Sequence, residues 1–179
     1  MQKVRDFLAK NKVDVSWRSI LNVDSMSALH RASLYGHLEL VSLLLEDPLI
    51  DVNQLNEHGK SPLHLACNAN NTDVLRRLLD DERVDVNLPD SLMWTPLWWA
   101  SYSGSIEVII WLILSRREVD YGQKCRLAPE EPDISPMEIA QLIDNNAIVE
   151  LLGKYIANPV GVREDLHYYE ERGNITLPA

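Results

Sequence analysis

The sequence predicts an all-α solenoid of stacked helix-turn-helix units, opened by a truncated half-unit and closed by a capping helix. Three signatures recurring in register predict it. The first is a hexapeptide: Ser27-Ala-Leu-His-Arg-Ala32, Ser61-Pro-Leu-His-Leu-Ala66, Thr95-Pro-Leu-Trp-Trp-Ala100 and Ser135-Pro-Met-Glu-Ile-Ala140, whose first residues lie 34, 34 and 40 apart. The second is an apolar segment behind each hexapeptide, at Leu40 to Leu45, Val74 to Leu79, Val108 to Ile113 and Ile148 to Leu152. The third is a closing tripeptide, Asp51-Val52-Asn53 and Asp85-Val86-Asn87, with a weaker Val119-Asp120-Tyr121 after the third unit and Asp14-Val15-Ser16 ahead of the first. Self-similarity at such a period is the mark of a repeat architecture.

Each unit can be justified residue by residue. Ser61, Thr95 and Ser135 are hydroxyl N-caps followed by proline, whose missing N–H is harmless at the first helical position. Gly36 and Gly104 stand where the first helix must end in a left-handed conformation, and Asn70 and Asp144 are the residues next best able to adopt it. Inner helices are therefore expected over 28–35, 62–69, 96–103 and 136–143, and outer helices over 38–46, 72–80, 106–114 and 146–157. Such a pair cannot bury its own apolar face, so Leu29, Leu63 and Leu97, with Ala32, Ala66 and Ala100, must be covered by neighbouring units.

The ends read as caps. Val4, Phe7 and Leu8 share one face of a helix over 3–11, the outer half of a truncated unit. Asn158-Pro159 breaks the last outer helix, and Val162, Leu166 and Tyr169 recur at helical spacing over 162–171. The division expected is 1–21 for the N-terminal cap, 22–55, 56–89, 90–129 and 130–158 for four repeats, and 159–179 for the cap helix and tail.

Together these signatures resemble the ankyrin repeat, a turn and two helices built on T-P-L-H-x-A, from residue 3 to about 157. The run Trp94-Thr-Pro-Leu-Trp-Trp-Ala-Ser-Tyr-Ser-Gly104 and the closing Ala157-Asn-Pro look like the ankyrin arrays of mushroom-forming fungi. The resemblance implies a protein-binding module, and it implies that His30 and His64 hydrogen-bond the backbone of neighbouring turns.

At 179 residues, with 46% apolar and 25% charged, the chain is long enough to bury roughly 70% of its unfolded surface. The net charge of -10 repels nucleic acid and anionic membranes at long range, while a basic protein partner is compatible with it. Cys67 and Cys125 have no metal-ligand spacing and are expected as reduced thiols. The N-terminus lacks an apolar signal core and the longest apolar run is too short to span a bilayer, so a soluble cytoplasmic or nuclear monomer is expected. No phosphate loop, dinucleotide fingerprint, nucleophile elbow or metal-ligand set occurs, so no catalytic residue, metal or cofactor is expected. Asp51 and Asp85 recur with the repeat, which points to a role in ending or bridging units.

The resemblance places partner contacts in the concave groove, on turn tips and on the exposed face of the inner helices. Carried over, the tips are Val23, Asp24 and Met26, then Glu57, His58 and Lys60, then Ser91, Leu92 and Trp94. The helix positions are Leu34 and Tyr35, Asn68 and Ala69, and Tyr102 and Ser103. The third unit is unusual: Trp98 replaces the hexapeptide histidine, Trp99 follows it, and Leu92 and Met93 put apolar side chains on a tip, Met93 where glycine is preferred. Aromatic side chains dominate binding hot spots, so Trp94, Trp98 and Tyr102, flanked by Tyr35, His58, Lys60 and Leu92, are the candidate contacts. Packing between repeats is the other reading, for Trp99 above all and for Trp98 in the space of the missing imidazole. The connection Tyr121 to Ile134 is either a tolerated insertion or an added acidic contact. Three uses remain open for such a surface: an adaptor, an inhibitory subunit of an enzyme, or the recruiting segment of a larger protein.

Overall fold

A computed structural model describes residues 25–115, 117–125 and 133–170. The expected N-terminal cap, the tips at Val23 and Asp24, the middle of the long connection and the tail lie outside the described residues. Among the described residues there are nine helices and no strand. They are α1 (Ala28–Leu34), α2 (Leu38–Leu45), α3 (Pro62–Asn68), α4 (Thr72–Leu79), α5 (Pro96–Tyr102), α6 (Ile106–Leu114), α7 (Pro136–Leu142), α8 (Asn146–Ala157) and α9 (Pro159–Glu170). The inner helices α1, α3, α5 and α7 stack in order, and the outer helices α2, α4, α6 and α8 form a second layer. The chain is thus an all-α repeat solenoid, closed by α9, which packs on α8 and α6.

Local chemistry sets where each helix begins and ends. Ser27, Ser61, Thr95 and Ser135 are N-caps in extended conformation, and each side-chain oxygen accepts from the backbone N–H three residues on. Gly36, Asn70, Gly104 and Asp144 all have positive φ, between 54° and 74°. The inner helices stop one residue earlier than the sequence pattern suggests, because Tyr35, Ala69, Ser103 and Ile143 are C-caps rather than helical turns. Pro159 does break α8, yet it also opens α9, as proline's preference for a first turn allows.

Seven-residue helices are unstable alone, so the stack holds them. Leu29, Leu63 and Leu97 are each 1% exposed and Ala32, Ala66 and Ala100 are fully buried. Burial of one such leucine contributes about 2 kcal/mol and one N-cap about 1 kcal/mol. Caps therefore choose helix starts, while burial decides that the helices exist.

The closing tripeptides are the staples between units. Asp51 and Asp85 each accept from the backbone N–H two residues on, at 3.1 and 2.9 Å, which ends the unit in a tight turn. Asn53 then donates to the Arg83 carbonyl at 2.7 Å and accepts from the Asp85 N–H at 2.8 Å. Asn87 repeats both bonds with Glu118 and Asp120. In the third tripeptide Tyr121 stands in place of asparagine and its ring lies 4.5 Å from that of Tyr155, so this ladder ends there.

A second staple was not anticipated. Arg83 donates to the Leu45 carbonyl at the end of α2, at 3.0 Å, and Arg117, 34 residues later, donates to the Leu79 carbonyl at the end of α4, at 3.2 Å. Arg163 of α9 donates to the Ile113 carbonyl of α6 at 3.3 Å. Each satisfies carbonyls that a helix end leaves open and places a cation at the negative end of the helix. The cap helix thus does for α6 what the following unit does for α2 and α4.

Candidate functional site

The third unit departs from the others because its histidine is a tryptophan. In the first two units the imidazole is locked at both nitrogens. His30 Nδ1 accepts from the Ser27 N–H at 3.1 Å while Nε2 donates to the Lys60 carbonyl at 2.9 Å. His64 does the same between the Ser61 N–H and the Trp94 carbonyl, at 3.1 and 3.0 Å. Burial pushes the His64 imidazole down to about 4, so it is neutral at physiological pH. These two histidines hold one turn tip to the next.

At Trp98 both bonds are lost and replaced. The longer connection closes on itself through a pair of backbone bonds between Cys125 and Ile134, at 2.9 and 2.8 Å. The tip is thereby held without a side chain from α5. Trp98, Cys125 and Ile139 form a small separate cluster, with Trp94 and Ile134 against it. Burial raises the Cys125 thiol to about 11, although a hydrogen bond with the Thr95 backbone pulls the other way. Cys67 and Cys125 are both free and buried.

Trp98 is 0% exposed, and among the described residues its Nε1 has no hydrogen-bond partner. The expectation that it contacts a partner is therefore corrected: it takes the packing alternative, filling the imidazole's space. Its ring is sandwiched between those of Trp94, 4.1 Å away and 20° from parallel, and Tyr102, 5.5 Å away and 13° from parallel. The buried ring is a spacer that presents the half-buried Trp94 and the exposed Tyr102.

Trp99 is also core, and the aspartate that holds it, Asp90, was missed in the sequence. Its Nε1 donates to Asp90 Oδ2 at 2.9 Å, while Asp90 Oδ1 accepts from the Leu92 and Trp94 N–H groups at 2.8 and 2.9 Å. Asp90 is buried and shapes the third tip. The Lys60 ammonium lies 3.6 Å over the Trp99 ring. Burial lowers its pKa, and the nearby Asp90 charge opposes that. The signal available in the sequence was that Asp90 repeats Asn56, 34 residues earlier, whose Oδ1 likewise accepts from His58 and Lys60 N–H groups.

The remaining candidates fall into three places. Leu92 is exposed beside Trp94 on the third tip, and His58 is exposed on the second tip, 3.8 Å from Glu57. Tyr35 is exposed in the first unit, where its ring neighbours His37 at 6.2 Å, apart from the aromatic stack. Met93 is 54% exposed at φ 65°, where the second tip has Gly59 at φ 70°. A left-handed methionine costs on the order of 1 kcal/mol. Leu142, 65% exposed, and the C-cap Ile143 occupy at the end of α7 the positions that Tyr102 and the C-cap Ser103 occupy at the end of α5. The same register rule that pointed to Tyr102 would have found them.

Among the described residues no group of three or more histidine, cysteine or acidic side chains is arranged to hold a metal, and no helix is long and apolar enough to cross a membrane. No curated protein matches the chain. A family model described as Ankyrin repeats (3 copies) matches residues 29–125, more than half of the chain, and the fourth pair, α7 and α8, repeats the same cap and left-handed turn beyond it. Ankyrin repeats generally serve as protein–protein interaction modules and are typically non-enzymatic. With its signatures, its stacked helix pairs and this match in agreement, the chain belongs to the ankyrin-repeat family.

Proposed function

We propose that this chain is a non-catalytic binding module that holds a partner protein in its concave groove, centred on the third repeat. The observation that supports the reading most is the Trp94–Trp98–Tyr102 stack: a buried indole fixes two flanking rings at the surface. Rings held in place lose little side-chain entropy on binding, which is how aromatic anchors come to dominate interface energies. Leu92 extends the apolar surface on the tip, and Lys60, His58 and Tyr35 border the groove toward the first unit.

The test is affinity capture with the wild type and with Trp94→Ala/Tyr102→Ala, both shown to be folded by circular dichroism. A specific partner retained by the wild type and lost by the double variant supports the reading. Equal retention by both sinks it.

A further inference from the structure

The apolar surface does not end at Tyr102. From the third tip, Leu92 and Met93 lead past Trp94 to Tyr102, and the next inner helix ends in Leu142 and its C-cap Ile143 at the following register positions. All but Trp94 are exposed. Two further observations say what would cover this strip. Met93 keeps a long apolar side chain in a left-handed conformation that Gly59 meets without strain on the second tip. An exposed, strained, apolar side chain adds nothing to the fold that glycine would not, so its use lies in contact.

The second observation is charge. Lys60, at one border of the strip, is matched within the chain by the Trp99 ring and the Asp90 carboxylate, and Lys124 is matched by Glu138 at 3.3 Å. Asp144, directly after Ile143, is exposed and has no ion-pair partner among the described residues. The whole chain carries a formal charge of -10, which favours a basic over an acidic partner at long range.

We propose that the occupant is an apolar segment of a partner protein that packs on Met93, Tyr102 and Leu142 and places a lysine or arginine against Asp144. This rests on the groove reading above and adds the partner's chemistry, a strained specificity residue and an extension into the fourth repeat.

The experiment is selection of peptides from a random displayed library on the full chain, followed by titration of the enriched peptides at low and high salt. The expected peptides carry aliphatic or aromatic residues with a basic residue at fixed spacing. Asp144→Asn, which keeps a residue able to adopt the left-handed turn, should weaken them about three- to tenfold and reduce their salt dependence. Met93→Gly should weaken them at least about fivefold with no fall in Tm. Acidic peptides, or peptides indifferent to both substitutions yet lost with Trp94→Ala/Tyr102→Ala, would overturn this inference and leave the groove standing. Peptides indifferent to that double substitution, or the absence of any enriched peptide, would overturn both.

Discussion

The Trp94 and Trp98 rings stack 4.1 Å apart, one half-buried at a turn tip and the other wholly enclosed, so the surface of the third repeat is set by a residue that never reaches it. Trp98→Ala should remove the spacer and leave a cavity between α5, α7 and the long connection. The expected loss is about 3–5 kcal/mol, read as a lower midpoint in urea denaturation. Trp98→Phe keeps a ring between Trp94 and Tyr102 and has no indole N–H to leave unpaired, so it should cost less than half as much.

His64 makes stability depend on pH. Its folded pKa, about 4, lies below the ordinary 6.5 of an unfolded histidine, so between these values the unfolded chain binds more protons. The contribution of neutral His64 is full above about pH 6.5 and fades as pH falls toward 4, by up to about 3 kcal/mol. The physical reason is burial, which penalises the charged imidazolium, and Nδ1 already accepts from the Ser61 N–H, where a proton would face another donor. Unfolding free energies measured from pH 7.5 to 4.5 should fall more steeply for the wild type than for His64→Gln.

Arg117 reaches four carbonyls, those of Leu79, Asp81, Glu82 and Val84, through two guanidinium nitrogens. A lysine has the charge but not the fork. Arg117→Lys should therefore destabilise by about 1–2 kcal/mol, with hydrogen exchange rising first at the end of α4.

Gly59 and Met93 take the same left-handed conformation but should respond oppositely to a changed side chain. A Cβ on Gly59 would lie 2.4 Å from the Ser91 nitrogen. Gly59→Ala is expected to lower stability by at least about 2 kcal/mol, because the neighbouring tip must move. Met93→Gly should leave thermal stability equal or slightly raised, as differential scanning calorimetry would show.

Much of the fold was legible because its determinants are local. Ser61 and Pro62 mark a helix start within two residues, and Asp144 marks an end by itself. The Asn53 and Asn87 staples were visible as recurring letters, although their partners lie about 30 residues on. Arg83 and Arg117 recur at the same spacing but sit outside the familiar signatures, so their capping bonds went unread. Asp90 was hidden differently: one carboxylate joins a turn to an indole nine residues away, and no short pattern announces that.

The candidate site was only half legible, for a reason that Trp98 makes plain. Large apolar rings are favoured both in cores and in contacts, so composition and spacing cannot separate the two. Leu142 and Ile143 show the converse: they carry no aromatic ring to draw notice, yet they hold the register positions of Tyr102 and Ser103 and are exposed.

From its sequence alone this chain was bound to be a stack of helix pairs, because each pair is delimited by capping and turn residues acting within a few positions and carries an apolar face it cannot cover. Which tryptophans face solvent was decided only when the units met. The Cys125–Ile134 closure took over the tip that a histidine would have held, and Trp98 is enclosed in the cluster beside it. Burial of a side chain depends on what the next repeat places against it, and that is a property of the stack.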